Sequence, residues 1–261
     1  MTPGIGVGRC QVSGKWWGGD LTSRIFLVKD VPCPGTRDSQ LEEEMKSQDI
    51  GLLLKLVALK RRETGGTQGP GDRTGTSLLP DVWRDWQVEE GEMLAEHESV
   101  LFEGEADSAC FSVRALADQT GISKSQVSVA LQRCLDVGLA RKNRHTGVPQ
   151  ANTKALYGFI VHGLRYVFPA RPGEITRGIA TSFGAPVLEG RLFSSGELVM
   201  VWPDARGNTK GQAVQPLFKS VPYAVQRDRE LYAMLALVDA IRIGQPRESK
   251  LATELLAEYL G

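Results

Sequence analysis

Cysteine and histidine are both scarce in this chain of 261 residues. It contains four cysteines and three histidines, and no two cysteines are spaced as a Cys-x-x-Cys pair. This spacing disfavours a disulfide scaffold and a zinc site of the usual kind, and a reducing cytoplasm is the default compartment. The histidines His97, His145 and His162 lie far apart in the sequence. We therefore expect neither a metal ion nor another cofactor.

Long hydrophobic runs are absent as well. The longest, residues 50–59, is far too short to cross a bilayer and is interrupted by Lys55. No apolar segment opens the chain, so a secretory signal is not expected. The sequence also lacks a Gly-x-Ser-x-Gly elbow and a phosphate-binding Gly-x-x-x-x-Gly-Lys loop. No set of catalytic acid, base and nucleophile emerges, and we do not expect an enzyme.

The net charge is zero, but the charges are unevenly distributed. Residues 81–110 carry ten acidic residues and one basic residue, whereas residues 111–171 carry nine basic and two acidic residues. A stretch with a net charge of +7 attracts polyanions, although a solvated basic surface without a partner fits the composition equally well. The choice depends on what the basic stretch contains.

The first third of the chain is predicted to contain one regular element. Residues 1–44 are rich in glycine and show no sustained period, which is typical of a disordered extension. Met45 opens a more regular segment, and we hypothesise that translation starts there. Residues 46–60 are predicted to form a helix with one apolar face. That face comprises Ile50, Leu53, Leu54 and Val57.

Residues 61–107 are predicted to form a flexible insertion that is acidic in its second half. Trp83 and Trp86 lie three residues apart in it, a spacing that places both on one face of a helix. Docking of this pair on the protein core is favoured over docking on a partner protein.

A helix-turn-helix is predicted for residues 112–135. A short helix through Ala117 is followed by Gly121, where the turn favours a left-handed backbone that glycine adopts easily. Ser123 then caps a second helix, and Gln126 completes a Ser-x-x-Gln capping box. The buried stripe of this helix comprises Val127, Ala130, Leu131, Cys134 and Leu135.

The opposite face of the second helix is short, polar and basic, which suits a helix lying in the DNA major groove. Glutamine and arginine can read base edges there, whereas serine and lysine near the helix start suit phosphate. The predicted DNA-binding residues on this helix are Ser123, Lys124, Ser125, Gln126, Ser128, Gln132 and Arg133. Two packed helices that bind no nucleic acid remain the alternative.

A short cationic turn follows, in the position of the wing of a winged-helix domain. Arg141, Lys142 and Arg144 are predicted to contact phosphates there, which sets affinity and salt dependence rather than sequence choice. Asn152 is predicted to cap the next helix, whose apolar face includes Leu156.

From Met45 onward the chain resembles the bacterial winged-helix, MarR-like family of helix-turn-helix transcriptional regulators. The resemblance rests on the start at 45–50, the helix-turn-helix, and the segments 159–170, 176–178, 201–204, 219–222 and 235–242 with Arg247-Glu248. The insertion at 61–107 departs from the family pattern and leaves the packing of the first helix open. The resemblance implies a cytoplasmic DNA-binding regulator.

The remaining C-terminal region is predicted to be irregular at first and helical at its end. Residues 166–222 contain six prolines, so loops, short strands and short helices are expected. Arg177 lies in a polar segment and is suited either to bind an anion or to pair internally. Residues 228–242 and 247–260 are predicted to be amphipathic helices that complete the core or form a dimer interface. Because dimers match palindromic half-sites, we favour a homodimer.

The predicted fold class is mainly α (α+β). It comprises a disordered extension (1–44), a winged helix-turn-helix domain with the flexible acidic insertion (45–170), and a C-terminal region with two helices (171–261). The predicted function is sequence-specific binding of double-stranded DNA by a transcriptional regulator, most simply a repressor. The alternative is a protein-binding adaptor or antitoxin-like protein that uses the helix-turn-helix or the acidic insertion for protein contacts. The surfaces for such a protein partner are residues 81–107 or the C-terminal region.

Overall fold

Two buried helices, Ser47–Gly66 (α1) and Arg229–Ile243 (α7), lie at the centre of the fold. The computed structural model describes residues 44–66, 84–87, 109–188 and 198–261. The predicted extension at 1–44 therefore lies outside the described residues, apart from Glu44. The described part combines helices with two small sheets, a mixed α/β architecture.

The other helices and the strands follow in chain order. The helices are Ala109–Phe111 (a single 3-10 turn), Val113–Thr120 (α2), Lys124–Asp136 (α3), Thr153–His162 (α4), Leu164–Val167 (α5), Ser182–Gly184 (a second 3-10 turn), Val221–Arg227 (α6) and Pro246–Leu260 (α8). The strands are Ala140–Lys142 (β1), Pro149–Ala151 (β2), Pro172–Thr181 (β3), Met200–Pro203 (β4) and Thr209–Val214 (β5). Among the described helices, none is long and apolar enough to cross a membrane.

Helix α1 is buried on all sides rather than on one face. Every residue from 49 to 59 is buried, including Lys55, so the predicted single apolar face was too narrow. The reason is that α1 packs against α3 and β2 as well as α7. The N-terminal and C-terminal parts of the described chain thus share one core. The helix also continues to Gly66, so the flexible insertion predicted from residue 61 starts too early.

Residues 84–87 are a second place where the structure differs from the predicted flexible insertion. Asp85 is buried, and its carboxylate accepts hydrogen bonds from the Ala180 backbone N–H at 2.6 Å and from Thr209 Oγ1 at 2.8 Å. Trp86 forms a β-bridge with Gly207 instead of lying on a helix face, and it packs against the core as favoured above. Trp83 lies outside the described residues. These four residues are docked on the sheet rather than flexible.

The segment predicted to be irregular contains a three-stranded sheet. Strand β3 is antiparallel to both β4 and β5, and β4 and β5 pair in parallel at Val201 and Ala213, so the strands close on one another. Pro172 is tolerated because it is the first residue of β3. Arg177 lies in this strand and donates from Nε to the Gly207 carbonyl, which favours internal pairing over anion binding.

The two predicted C-terminal helices are confirmed, and they complete the core of this chain. Every residue of α7 from 231 to 242 is buried. Asp239 joins α7 to the sheet by accepting hydrogen bonds from Trp202 Nε1 at 2.6 Å and Thr181 Oγ1 at 3.2 Å. Burial raises the pKa of Asp239, and the Arg242 guanidinium, 2.6 Å from its carboxylate, opposes that rise.

Candidate nucleic-acid interface

The turn between α2 and α3 has the geometry that its sequence predicts. Ser112 caps α2 by accepting a hydrogen bond from the Ala115 backbone N–H at 3.2 Å. Gly121 ends α2 with a φ of 69°, the left-handed conformation that favours glycine, and donates to the Ala117 carbonyl at 2.9 Å. Ile122 is buried directly after it. The two helices are therefore held by caps that belong to the local sequence.

Helix α3 begins at the predicted cap and buries the predicted stripe. The Ser123 hydroxyl accepts a hydrogen bond from the Gln126 backbone N–H at 3.4 Å. Cys134 is buried in the stripe, and burial raises the pKa of its thiol to about 12, so it is a core residue as predicted. Val127, Ala130 and Leu131 are buried with it, and Leu135 is partly buried.

The polar face of α3 is exposed at six of the seven predicted positions. They are Ser123, Lys124, Ser125, Gln126, Ser128 and Gln132. The Ser123 and Ser125 hydroxyls lie 3.3 Å apart, at the N-terminal end where backbone N–H groups carry a partial positive charge. Gln132 donates from Nε2 to Asp136 Oδ1 at 2.8 Å, so its amide is engaged by its own helix. Lys124, Ser125, Gln126 and Ser128 therefore form the accessible group.

Arg133 is the exception, and its assignment to the DNA-facing surface was wrong. Its side chain is buried, and its guanidinium pairs with Asp49 of α1 through two hydrogen bonds, Nε to Oδ2 at 2.9 Å and Nη2 to Oδ1 at 2.7 Å. Because position 133 borders the buried stripe of α3, its long side chain reaches inward to this carboxylate. The residue holds α3 against α1 and is not available to read a base.

The cationic turn forms a β-hairpin. Strands β1 and β2 are antiparallel, with Ala140 opposite Ala151 and Lys142 opposite Pro149. Asn143 shapes the connection, since its Oδ1 accepts from the backbone N–H groups of residues 145 and 146. The predicted phosphate-contact residues Arg141, Lys142 and Arg144 are all exposed on this hairpin. The predicted cap of α4 is also present, with Asn152 Oδ1 accepting from the Ala155 N–H at 3.4 Å.

The electrostatics of this region are strongly one-sided. Between residues 119 and 173 the sequence contains eight cations, and Asp136 supplies the sole carboxylate. Of these cations, Arg133 is neutralised inside the protein by Asp49. The exposed cations of the hairpin and of the start of α3 thus outnumber the carboxylates near them, which include Asp118 of α2 and Glu63 beside the hairpin.

Two residues beside the turn were not found from the sequence. Ser220 Oγ donates to the Thr120 carbonyl at 2.8 Å, and the Tyr223 hydroxyl donates to the Asp118 carbonyl at 2.9 Å. Ser220 directly precedes α6, and Tyr223 lies in the first turn of that helix. Both are about a hundred residues further along the chain than the turn they contact. No local pattern signals this contact, because it depends on how the C-terminal region folds back onto α2.

Other kinds of site find little support in the described ranges. No group of three or more histidine, cysteine, aspartate or glutamate residues there could hold a metal ion. Comparisons with protein-family models, with curated proteins and with solved structures found no match to this chain.

Proposed function

We propose that the chain is a sequence-specific DNA-binding protein of the cytoplasm that acts as a transcriptional regulator, most simply a repressor. In this proposal α2 and α3 form the helix-turn-helix of a winged-helix domain, and the β1–β2 hairpin is its wing. The MarR-like family resemblance of the sequence is part of the same proposal. No cofactor is needed for this activity.

The observation that carries the proposal is the pairing of an accessible polar helix with an adjacent cationic hairpin. Helix α3 exposes Lys124, Ser125, Gln126 and Ser128, while its apolar stripe is buried against the core. Short polar side chains at the start of a helix are the groups that reach base edges in the major groove. The hairpin cations are placed after α3 in the chain, where a wing contacts the phosphate backbone.

The roles of the residues divide accordingly. Gln126 and Ser128 read base edges, Ser123, Lys124 and Ser125 contact phosphate at the N-terminal end of α3, and Gln132 lies at the margin through its bond to Asp136. Arg141, Lys142 and Arg144 supply affinity without sequence preference.

A homodimer is part of the proposal because a two-fold protein matches a palindromic operator. Helix α7 is buried within the single chain and does not offer a dimer face. Helix α8 keeps an exposed side, including Lys250, Ala257 and Glu258, and is the better candidate for the contact.

The experiment is binding of the purified full chain to the DNA upstream of its own gene, measured by fluorescence anisotropy at several salt concentrations against a scrambled duplex. We expect a preference of at least about tenfold for the upstream DNA and a steep loss of affinity with salt. Equal, weak binding to both duplexes at low salt would contradict sequence reading. Absence of binding at low salt would contradict the DNA-binding function altogether.

The alternative function, a protein-binding adaptor or antitoxin-like protein, relies in part on the acidic insertion. Of residues 81–107 the structure describes four, and these dock on β3 and β5 of the same chain through Asp85 and Trp86. A pull-down that depends on residues 88–107 but not on α3 would favour this alternative.

A further inference from the structure

Helix α6 and the residue before it are joined to the turn of the proposed DNA-binding unit. Two hydrogen bonds make the connection, from Ser220 Oγ to the Thr120 carbonyl and from the Tyr223 hydroxyl to the Asp118 carbonyl. The packing is close, since a Cβ at Gly121 would lie 2.9 Å from both Ser220 Cβ and Tyr223 Cδ1. The C-terminal region therefore contacts the turn that connects α2 to α3.

This anchored segment carries two exposed cations. Lys219 directly precedes the anchoring Ser220, and Arg227 ends α6. The Arg227 guanidinium stacks on the Tyr223 ring, with Cζ 3.6 Å from the ring centroid, and donates to the Tyr223 carbonyl at 3.2 Å. Because Tyr223 itself is fixed to α2, the arginine is held beside the turn rather than free to swing away.

The local charge balance is also favourable for an anion. Residues 205–227 contain four cations and no carboxylate, and the following Asp228 is buried and paired with Lys55. The exposed Asp118 lies on the other side of the contact, so two cations stand against one carboxylate. Lys124, at the start of α3, lies three residues beyond Gly121 and adds a third cation to the same neighbourhood.

We infer that Lys219 and Arg227 form a third phosphate-binding element, which lies beside the turn between α2 and α3 and contacts the backbone of the bound double-stranded DNA. This inference rests on the proposed function. It assigns to the C-terminal region a direct part in DNA binding, and it lengthens the footprint of the protein beyond the helix-turn-helix and its hairpin.

The test compares the double variant Lys219→Ala/Arg227→Ala with wild type by anisotropy on the same duplexes between 50 and 200 mM salt. Two lost phosphate contacts lower the slope of log K against log salt by about 1.8, so wild type loses roughly tenfold more affinity over this range than the variant does. The preference for one sequence over another should not change, since phosphate contacts carry no sequence information.

The matched control is Arg171→Ala/Lys210→Ala, which removes the same charge from exposed positions on β5 and directly before β3. It should leave the salt slope unchanged. A melting curve checks folding, and if the α6 variant melts early, Lys219→Ala alone should still lower the slope by about 0.9.

The outcomes separate the two proposals. An unchanged slope in the α6 variant, alongside a reduced slope in an Arg141→Ala/Arg144→Ala hairpin variant, would overturn this inference and leave the proposed function standing. An equal reduction in the α6 variant and the Arg171→Ala/Lys210→Ala control would also overturn it, because the effect would then be one of net charge. Absence of DNA binding by wild type would overturn both.

Discussion

Arg133 and Asp49 form a buried ion pair that joins α3 to α1, with two hydrogen bonds of 2.7 and 2.9 Å. The pair fixes the helix of the proposed DNA-binding unit to the most buried helix of the N-terminal half. Both side chains are almost fully removed from solvent. Loss of one partner therefore leaves an uncompensated buried charge on the other.

We predict that Arg133→Ala lowers the free energy of unfolding by roughly 3–5 kcal/mol, because the Asp49 carboxylate then stays buried without its partner. Urea denaturation followed by circular dichroism measures this. The double variant Asp49→Leu/Arg133→Met should be more stable than Arg133→Ala, since no unpaired charge remains. Arg144→Ala, on the exposed hairpin, serves as the control and should stay within about 0.5 kcal/mol of wild type. Equal stability of Arg133→Ala and Arg144→Ala would show that the pair contributes little.

A second buried ion pair, between Lys55 and Asp228, makes the free energy of unfolding depend on pH in the alkaline range. Lys55 Nζ lies 2.6 Å from Asp228 Oδ2, and burial lowers the pKa of Lys55 below its ordinary value of 10.5, with Asp228 opposing. Between the folded pKa and 10.5 the unfolded chain binds more protons at this site than the folded chain. The contribution of Lys55 to stability therefore rises with pH across that window and falls again as pH is lowered through the folded pKa.

The prediction compares wild type with Lys55→Met, in which Asp228 keeps its contact with Arg62 at 2.6 Å. The difference in free energy of unfolding between the two should shift in favour of wild type as pH rises from neutral towards 10.5. Chemical denaturation at a series of pH values gives this difference, and titrations of other groups cancel in it. A difference that stays constant with pH would contradict the lowered pKa.

The features that the sequence predicts well are those that neighbouring residues determine. Ser123 and Asn152 cap their helices, and Gly121 ends α2, because each acts within a few residues of its own position. The exposed face of α3 and the short hairpin follow from the same local patterns.

The features that the sequence did not predict depend on distant contacts. The sequence around Arg133 is typical of a surface position, because its partner Asp49 lies 84 residues away in the chain. Likewise, β3 is a ten-residue strand although it begins with Pro172 and its register with β5 shifts between Pro172 and Ile175, because β4 and β5 pair with it. The spacing of apolar residues within a short segment gives no information about partners that are distant in the sequence.

Gly121 offers a test of how tightly α6 is seated on the turn. Gly121→Ala introduces a Cβ that meets Ser220 and Tyr223 at 2.9 Å, in addition to the cost of a left-handed backbone. Gly147→Ala is the matched control, because Gly147 has a φ of 68° but nothing within 4 Å of the added Cβ. We expect the control to lose about 1–2 kcal/mol of unfolding free energy and Gly121→Ala to lose clearly more. Equal losses in thermal or urea denaturation would mean that α6 yields easily at this contact.

Two variants, Gln126→Ala and Arg144→Ala, test the proposal that α3 reads the base sequence and the hairpin contacts phosphates. Gln126 is exposed on the side of α3 that is proposed to face the groove, whereas Arg144 is exposed at the tip of the hairpin. Gln126→Ala should reduce the discrimination between the upstream duplex and the scrambled one by roughly 1–3 kcal/mol, because a base-edge contact is lost. Arg144→Ala should weaken binding to both duplexes alike and lower the salt slope by about 0.9, because one phosphate contact is lost. Anisotropy titrations at several salt concentrations measure both quantities, and identical effects of the two variants on both duplexes would refute the assignment of α3 as the sequence-reading helix.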